Sequence, residues 1–167
     1  MEARELYLLN VTLHVLAALV WFGGMLFLAL VGAPVLRAVE PATLRAELFR
    51  RLGERFRAIG WICVGVLIVT GTLNLHLRGL LEPAVLRAPG FWTSPYGRVL
   101  AWKLAAVAVM LALSWVHDFV HGPAASRLPV GSPEAAAARR RAALLARLSA
   151  GAGLIAIVAA VRLARGG

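Results

Sequence analysis

The chain is short of acid and almost without cysteine. Its 167 residues include 8 aspartates and glutamates and one cysteine, Cys63. A lone cysteine excludes an internal disulfide and leaves the redox compartment unmarked. Against the 8 acids stand 18 lysines and arginines, a formal net charge of +10, which in a water-soluble protein would suggest a nucleic-acid partner. Here, however, 60% of the residues are hydrophobic and the mean hydropathy is +0.78. That is more apolar surface than a soluble core of this size can hide, and the arginines lie between and beside the apolar stretches. No nucleic-acid partner is expected, and the surplus apolar surface must face lipid. A cleavable leader is not expected either. Glu2 and Glu5 precede the first apolar run, which is too long for a signal h-region and has no small-x-small site before basic residues.

What the chain does have is four apolar stretches, at about 7–35, 59–77, 99–120 and 144–163. Each approaches the ~20 residues that cross ~30 Å of hydrocarbon. The expectation is an all-α integral membrane protein, one domain over 1–167 built as a four-helix transmembrane bundle, with the lipid bilayer as its first partner. The connection between the first two stretches holds Arg37, Arg45, Arg50, Arg51, Arg55 and Arg57, and the one between the last two holds Arg127, Arg139, Arg140, Arg141 and Arg147. The other ends are poorer in arginine, so these two connections are predicted on the cytoplasmic side and both termini outside. Tyr7, Trp92, Tyr96 and Trp102 then fall near the outer boundary, and Trp61 and Trp115 near the inner one.

Between these stretches, Leu44, Leu48, Leu52 and Phe56 recur every four residues among arginines and glutamates. This predicts an amphipathic helix over about 41–56 lying on the inner membrane face, or else a solvated basic connector. The segment 79–97, with Pro83, Pro89, Gly90 and Pro95, reads as an irregular outer lid with one short helix. The segment 122–134 reads as a flexible linker. There is no repeat of the inverted-transporter kind and no second domain.

Ionisable residues inside hydrocarbon are costly, so each is a functional candidate by default. His14 sits about two turns into the first span, sharing a face with Asn10, Ala17, Ala18, Trp21 and Gly24. Small neighbours beside an imidazole leave room for a flat ligand. His76 ends the second span and Lys103 lies about one turn into the third, so topology brings His14, His76 and Lys103 to a similar outer depth. Down the third span, Lys103, Ala106, Met110, Ser114, His117 and His121 form one stripe, which must face the bundle. His117 and His121, four apart near the inner end, are placed to chelate one metal ion, with Asp118 pointing elsewhere. Thr70 and Thr72 are expected to bond back to their own helix. On the fourth span, Ser149, Gly153, Ala156 and Ala160 form a small-residue ladder for close packing in the bundle or at a homodimer contact.

Two chemistries fit this set. A porphyrin needs one or two neutral imidazoles and a cation for its propionates, which His14, His76, Lys103 and Arg98 could supply, with Trp21 beside it. Copper needs imidazole or thioether ligands, for which His14, His76, His117, His121 and Met110 are candidates. A dedicated copper conduit would carry methionine clusters that are missing here, so haem b is the first expectation and copper the alternative.

The segment from His14 through Trp21 and Gly24 to Phe27, followed by Pro34 and Arg37, resembles the first span of the copper-resistance D (CopD-like) membrane family. Similarity continues through Arg55-Phe56-Arg57, Thr70-Gly71-Thr72-Leu73-Asn74 and Tyr96-Gly97-Arg98 to Lys103-Leu104. The resemblance implies an inner-membrane location and a role in copper uptake or handling, often beside periplasmic copper carriers. More distantly, His14, Trp21 and Lys103 are similar to positions of HemJ-type protoporphyrinogen oxidases, which implies a b-type haem on His14. The aromatic and basic residues of that family around Trp21 are replaced here by Gly-Gly-Met-Leu-Phe-Leu-Ala-Leu. Three functions follow as expectations: haem-based electron transfer with a quinone or periplasmic partner, copper transport across the inner membrane, or an accessory role in a respiratory complex. No catalytic residue is identified, and whether the chain is an enzyme stays open.

Overall fold

The fold is described from a computed structural model, in which residues 3–123, 127–129 and 131–166 are placed. These residues are helical almost throughout. Helix α1 (Ala3–Phe27) passes through a π-helical turn (Leu28–Gly32) into α2 (Ala33–Arg37), and α3 covers Ala42–Leu77. Two short helices follow, α4 (Pro83–Arg87) and α5 (Pro89–Thr93). Next comes α6 (Pro95–Trp115), continued by a second π-helical turn (Val116–His121), and then α7 (Pro133–Ala164). Four continuous helical runs, Arg4–Arg37, Ala42–Leu77, Pro95–His121 and Pro133–Ala164, are long and apolar enough to cross a membrane. They contain the four apolar stretches expected from the sequence, and the protein is a multi-pass, all-α membrane protein.

Local chemistry sets the helix ends. Ser94 and Ser132 cap α6 and α7, each hydroxyl accepting from the amide three residues on, Gly97 at 3.0 Å and Ala135 at 3.1 Å. Pro95 and Pro133 follow at the first helical position, where no amide hydrogen is needed. At the end of α3, Gly79 takes a positive φ of 68°. Its amide donates to the His76 carbonyl and that of Leu80 to Leu75, both at 2.9 Å. This Schellman closure fixes His76 in the last turn of the helix.

The chain divides by its contacts into two compact units, Met1–Arg87 and Ala88–Gly167. In the first, α1 packs antiparallel on α3, and in the second α6 packs on α7. The two hairpins repeat one plan that the sequence reading does not anticipate. One constant sequence interval relates buried Ala17 to Ala106, Trp21 to Met110, Cys63 to Ala152, Val64 to Gly153, Gly60 to Ser149 and Thr70 to Ala159. Each first helix also carries a π turn near its end. Few of the paired residues are identical, so the repeat shows in packing positions rather than in letters.

Other expectations change in detail. The stretch 41–56 is helical, yet it runs without a break into the second span instead of lying along the membrane face. Its apolar side is used within the hairpin. Phe56 lies against Gly24, where an added Cβ would come within 2.5 Å of the ring, and Leu52 lies near Gly32. At 1.5 Å per residue the 36 residues of α3 extend about 54 Å, so its arginine-rich end stands well clear of a ~30 Å hydrocarbon layer. The outer connection carries two short helices where one was expected. The linker 122–134 falls partly outside the described residues.

Candidate functional site

The polar centre of the first hairpin is built from three side chains on two helices. Nδ1 of His14, on α1, lies 2.7 Å from Oγ1 of Thr70, on α3. The Thr70 hydroxyl has one hydrogen, and the Val66 carbonyl 2.6 Å away can only accept it. Where the hydroxyl donates to Val66, Thr70 accepts from His14, and this arrangement puts the proton of the neutral ring on Nδ1 and its lone pair on Nε2. Thr70 does bond back to its own helix, as expected, and through the same oxygen it orients the histidine of the neighbouring one.

The surroundings hold this pair in register. Asn10, 3% exposed, donates through Nδ2 to the Thr70 carbonyl at 2.9 Å. Gly71 gives the ring its space, since a Cβ there would stand 3.3 Å from His14 Cε1. Two turns along α1 from His14, Trp21 is buried at 7% and packs over Gly60. Its role in the hairpin is to fill the helix contact. One helical turn beyond Thr70 on the same face, Asn74 Oδ1 is buried with no hydrogen-bond partner among the described residues. A buried acceptor left unmet calls for a donor, and a hard amide oxygen suits a water or N–H group better than soft copper(I). The sequence reading names Asn10 and Asn74 only within a face and a motif. Their cross-helix alignment with Thr70 is what singles them out.

His76 is placed differently. It is exposed and lines a shallow apolar groove with Ile68, Val69, Thr72, Leu73 and Leu81. On α3 it is turned about 120° from Thr70 at 100° per residue, off the face that meets His14. The similar depth of the two histidines does not make them a facing pair within the hairpin.

In the second hairpin, Lys103 is half-buried on α6. Arg98 is exposed beside Trp92, Ala101, Trp102 and Ala105. Ser149 is 2% exposed, lies 2.8 Å from the Ser114 hydroxyl and donates to the Met110 carbonyl at 3.3 Å. Ser149 and Gly153 of the expected small-residue ladder are buried against α6, joined by Ala152 and Ala159, while Ala156 and Ala160 are half-buried. At the lower end, His117 Nδ1 is 2.8 Å from Asp118 Oδ1, so Asp118 turns toward His117 and not elsewhere. The π turn over Val116–His121 widens the helix here, and α-helical spacing no longer predicts which side chains meet. Among the described residues, no three of His, Cys, Asp and Glu gather as a metal site.

The chain matches Copper resistance protein D over residues 50–163. The match takes in three of the four spans, with Arg55-Phe56-Arg57, Thr70 to Asn74 and Tyr96 to Leu104, and begins after the helix that carries His14. An uncharacterized protein of Aquifex aeolicus (strain VF5) is 34% identical over 121 residues, 71% of each chain. No solved structure matches. With two spanning hairpins, a polar centre in the first of them, and a match over most of its length, this chain belongs to the copper-resistance D (CopD) family of multi-pass membrane proteins.

Proposed function

We propose that the chain handles copper within the membrane, with Nε2 of His14 as a ligand along the path of the ion. The observation that carries this reading is the 2.7 Å contact of His14 Nδ1 with Thr70 Oγ1, a hydroxyl that also lies 2.6 Å from the Val66 carbonyl. Outer partners of this kind fix the tautomer and orientation of metal-ligating histidines, and an imidazole held so in a membrane span has few other uses. No closed cage of three or more His, Cys, Asp or Glu side chains surrounds it among the described residues. That suits a soft ion in transit, taken up through few ligands and released again, better than a structural metal held in a full tetrahedral set. In the first hairpin His76 is a further imidazole, and in the second His117 and His121 are imidazoles and Met110 a thioether of the kind copper takes. A periplasmic copper carrier is the partner that this reading implies.

A second reading keeps the same atom. A b-type haem ligated by His14 would use the same Nε2, and the small residues beside the ring, Ala17 and Gly71, favour it. When bound, haem would supply one-electron redox chemistry, with a quinone or periplasmic protein as partner. His76 is turned about 120° around α3 from Thr70, off the His14 face of this hairpin.

The test is copper accumulation by cells expressing wild type, His14→Ala or Thr70→Val at equal protein level, with visible spectra of the purified proteins. Copper handling predicts that His14→Ala abolishes the accumulation due to the protein and Thr70→Val reduces it. Equal copper in all three would sink that reading. A Soret band in wild type that is lost in His14→Ala would put haem in its place.

A further inference from the structure

The hairpin repeat exposes a difference between two arginine pairs. The interval that relates the buried positions also relates Arg50 to Arg139 and Arg51 to Arg140. In α3, Arg50 binds Glu47 at 2.7 Å and Glu54 at 2.9 Å, and Arg51 binds Glu47 at 2.6 Å. The positions matching Glu47 and Glu54 in α7 are Ala136 and Ala143. Arg139, Arg140 and Arg141 are exposed and, among the described residues, take part in no ion pair or side-chain hydrogen bond. The one acid of α7, Glu134, precedes them by five to seven residues, beyond the three- and four-residue spacing that pairs charges on a helix.

We infer that Arg139, Arg140 and Arg141 at the foot of α7 bind the headgroup phosphate of an anionic phospholipid. Their depth fits. The apolar part of the span begins at Leu144, so at 1.5 Å per residue the three lie about 5–8 Å outside the hydrocarbon edge, within the headgroup layer. The neighbouring surface fits as well. Arg140 and Arg141 are followed at helical spacing by exposed Leu144, Leu148 and Ile155, a stripe on which an acyl chain lies while its phosphate meets the guanidinium groups. A soluble phosphate would use the cations and leave that stripe idle. In α3, the same arginine positions are already neutralised by the protein's own glutamates.

The test is native mass spectrometry of the full chain in mild detergent, titrated with an equal mixture of phosphatidylglycerol and phosphatidylcholine. Wild type is expected to retain phosphatidylglycerol over phosphatidylcholine by at least about tenfold, since each arginine at an anionic surface contributes about 1 kcal/mol and 1.4 kcal/mol is tenfold. The double change Ala136→Glu and Ala143→Glu, which supplies the missing counter-ions, should bring the ratio close to parity. Added acids have little influence on membrane orientation. Arg140→Gln with Arg141→Gln is the second variant and should lower the ratio too. An even ratio in wild type, an undiminished ratio in both variants, or displacement of the lipid by millimolar inorganic phosphate would each overturn the assignment.

Discussion

His14 Nδ1 and Thr70 Oγ1, on antiparallel helices, stand 2.7 Å apart. With its hydrogen on the Val66 carbonyl, Thr70 accepts from Nδ1 and favours the tautomer protonated there. Thr70→Val should therefore weaken ligand binding at His14 by about 10–100-fold, the usual effect of losing such a partner. Thr70→Ser should retain it. The measurement is metal affinity of the two variants, with thermal unfolding in detergent as the control for folding.

What was legible here has a physical reason. A histidine deep in an apolar run stands out because its burial is costly, so the sequence points to His14 unaided. Its partner is fixed by the register between α1 and α3, which no single helix encodes. Depth can be counted from the membrane edge, which is why His14 and His76 were placed at one level. The angle around α3 that separates them shows only once Thr70 is known to face α1. The same holds for the 41–56 helix, where the four-residue period is plain in the sequence but the surface it packs on, Gly24 and Gly32, lies in another helix. Asp118 meets its chain neighbour His117, a contact between adjacent side chains that a three- and four-residue face pattern does not address.

Two glycines should respond unequally to alanine. At Gly97 an added Cβ would meet the backbone carbonyl of Phe91, whereas at Gly24 it meets the edge of the Phe56 ring. A ring can tilt, at a cost of about 1–3 kcal/mol, part of which is offset by the ~1 kcal/mol helix preference of alanine. The backbone of α5 has no such freedom. Thermal unfolding should show Gly97→Ala the more destabilised by at least about 2 kcal/mol.

Ser149 joins α7 to α6 through Ser114 and the Met110 carbonyl. Ser149→Ala should cost about 0.6–1.7 kcal/mol, the range for interhelical hydrogen bonds in membranes. Ser149→Leu should cost more, since a 2% exposed position leaves no room for the added carbons. Unfolding in detergent checks both.

Beyond the membrane-spanning part of α3, hydrogen bonds from Arg50 and then Arg51 hold the Glu47 carboxyl down to about 2 from its usual 4.5. Glu47 and Glu54 hold the Arg50 guanidinium above its usual range. With a depressed folded value, the contribution of Glu47 is fully present above pH 4.5 and is lost as pH falls through about 2. Helicity of the 42–58 segment, followed by hydrogen exchange across that window, should fall in wild type. In Glu47→Gln it should be lower at the start and flat.

The most direct measurement is a copper(I) competition titration of the purified chain in mild detergent, comparing wild type with His14→Ala. Wild type is expected to take copper(I) from the competing chelator and His14→Ala to do so at least about tenfold less well. Equal affinity in the two proteins, or no uptake by wild type, would contradict copper handling through His14.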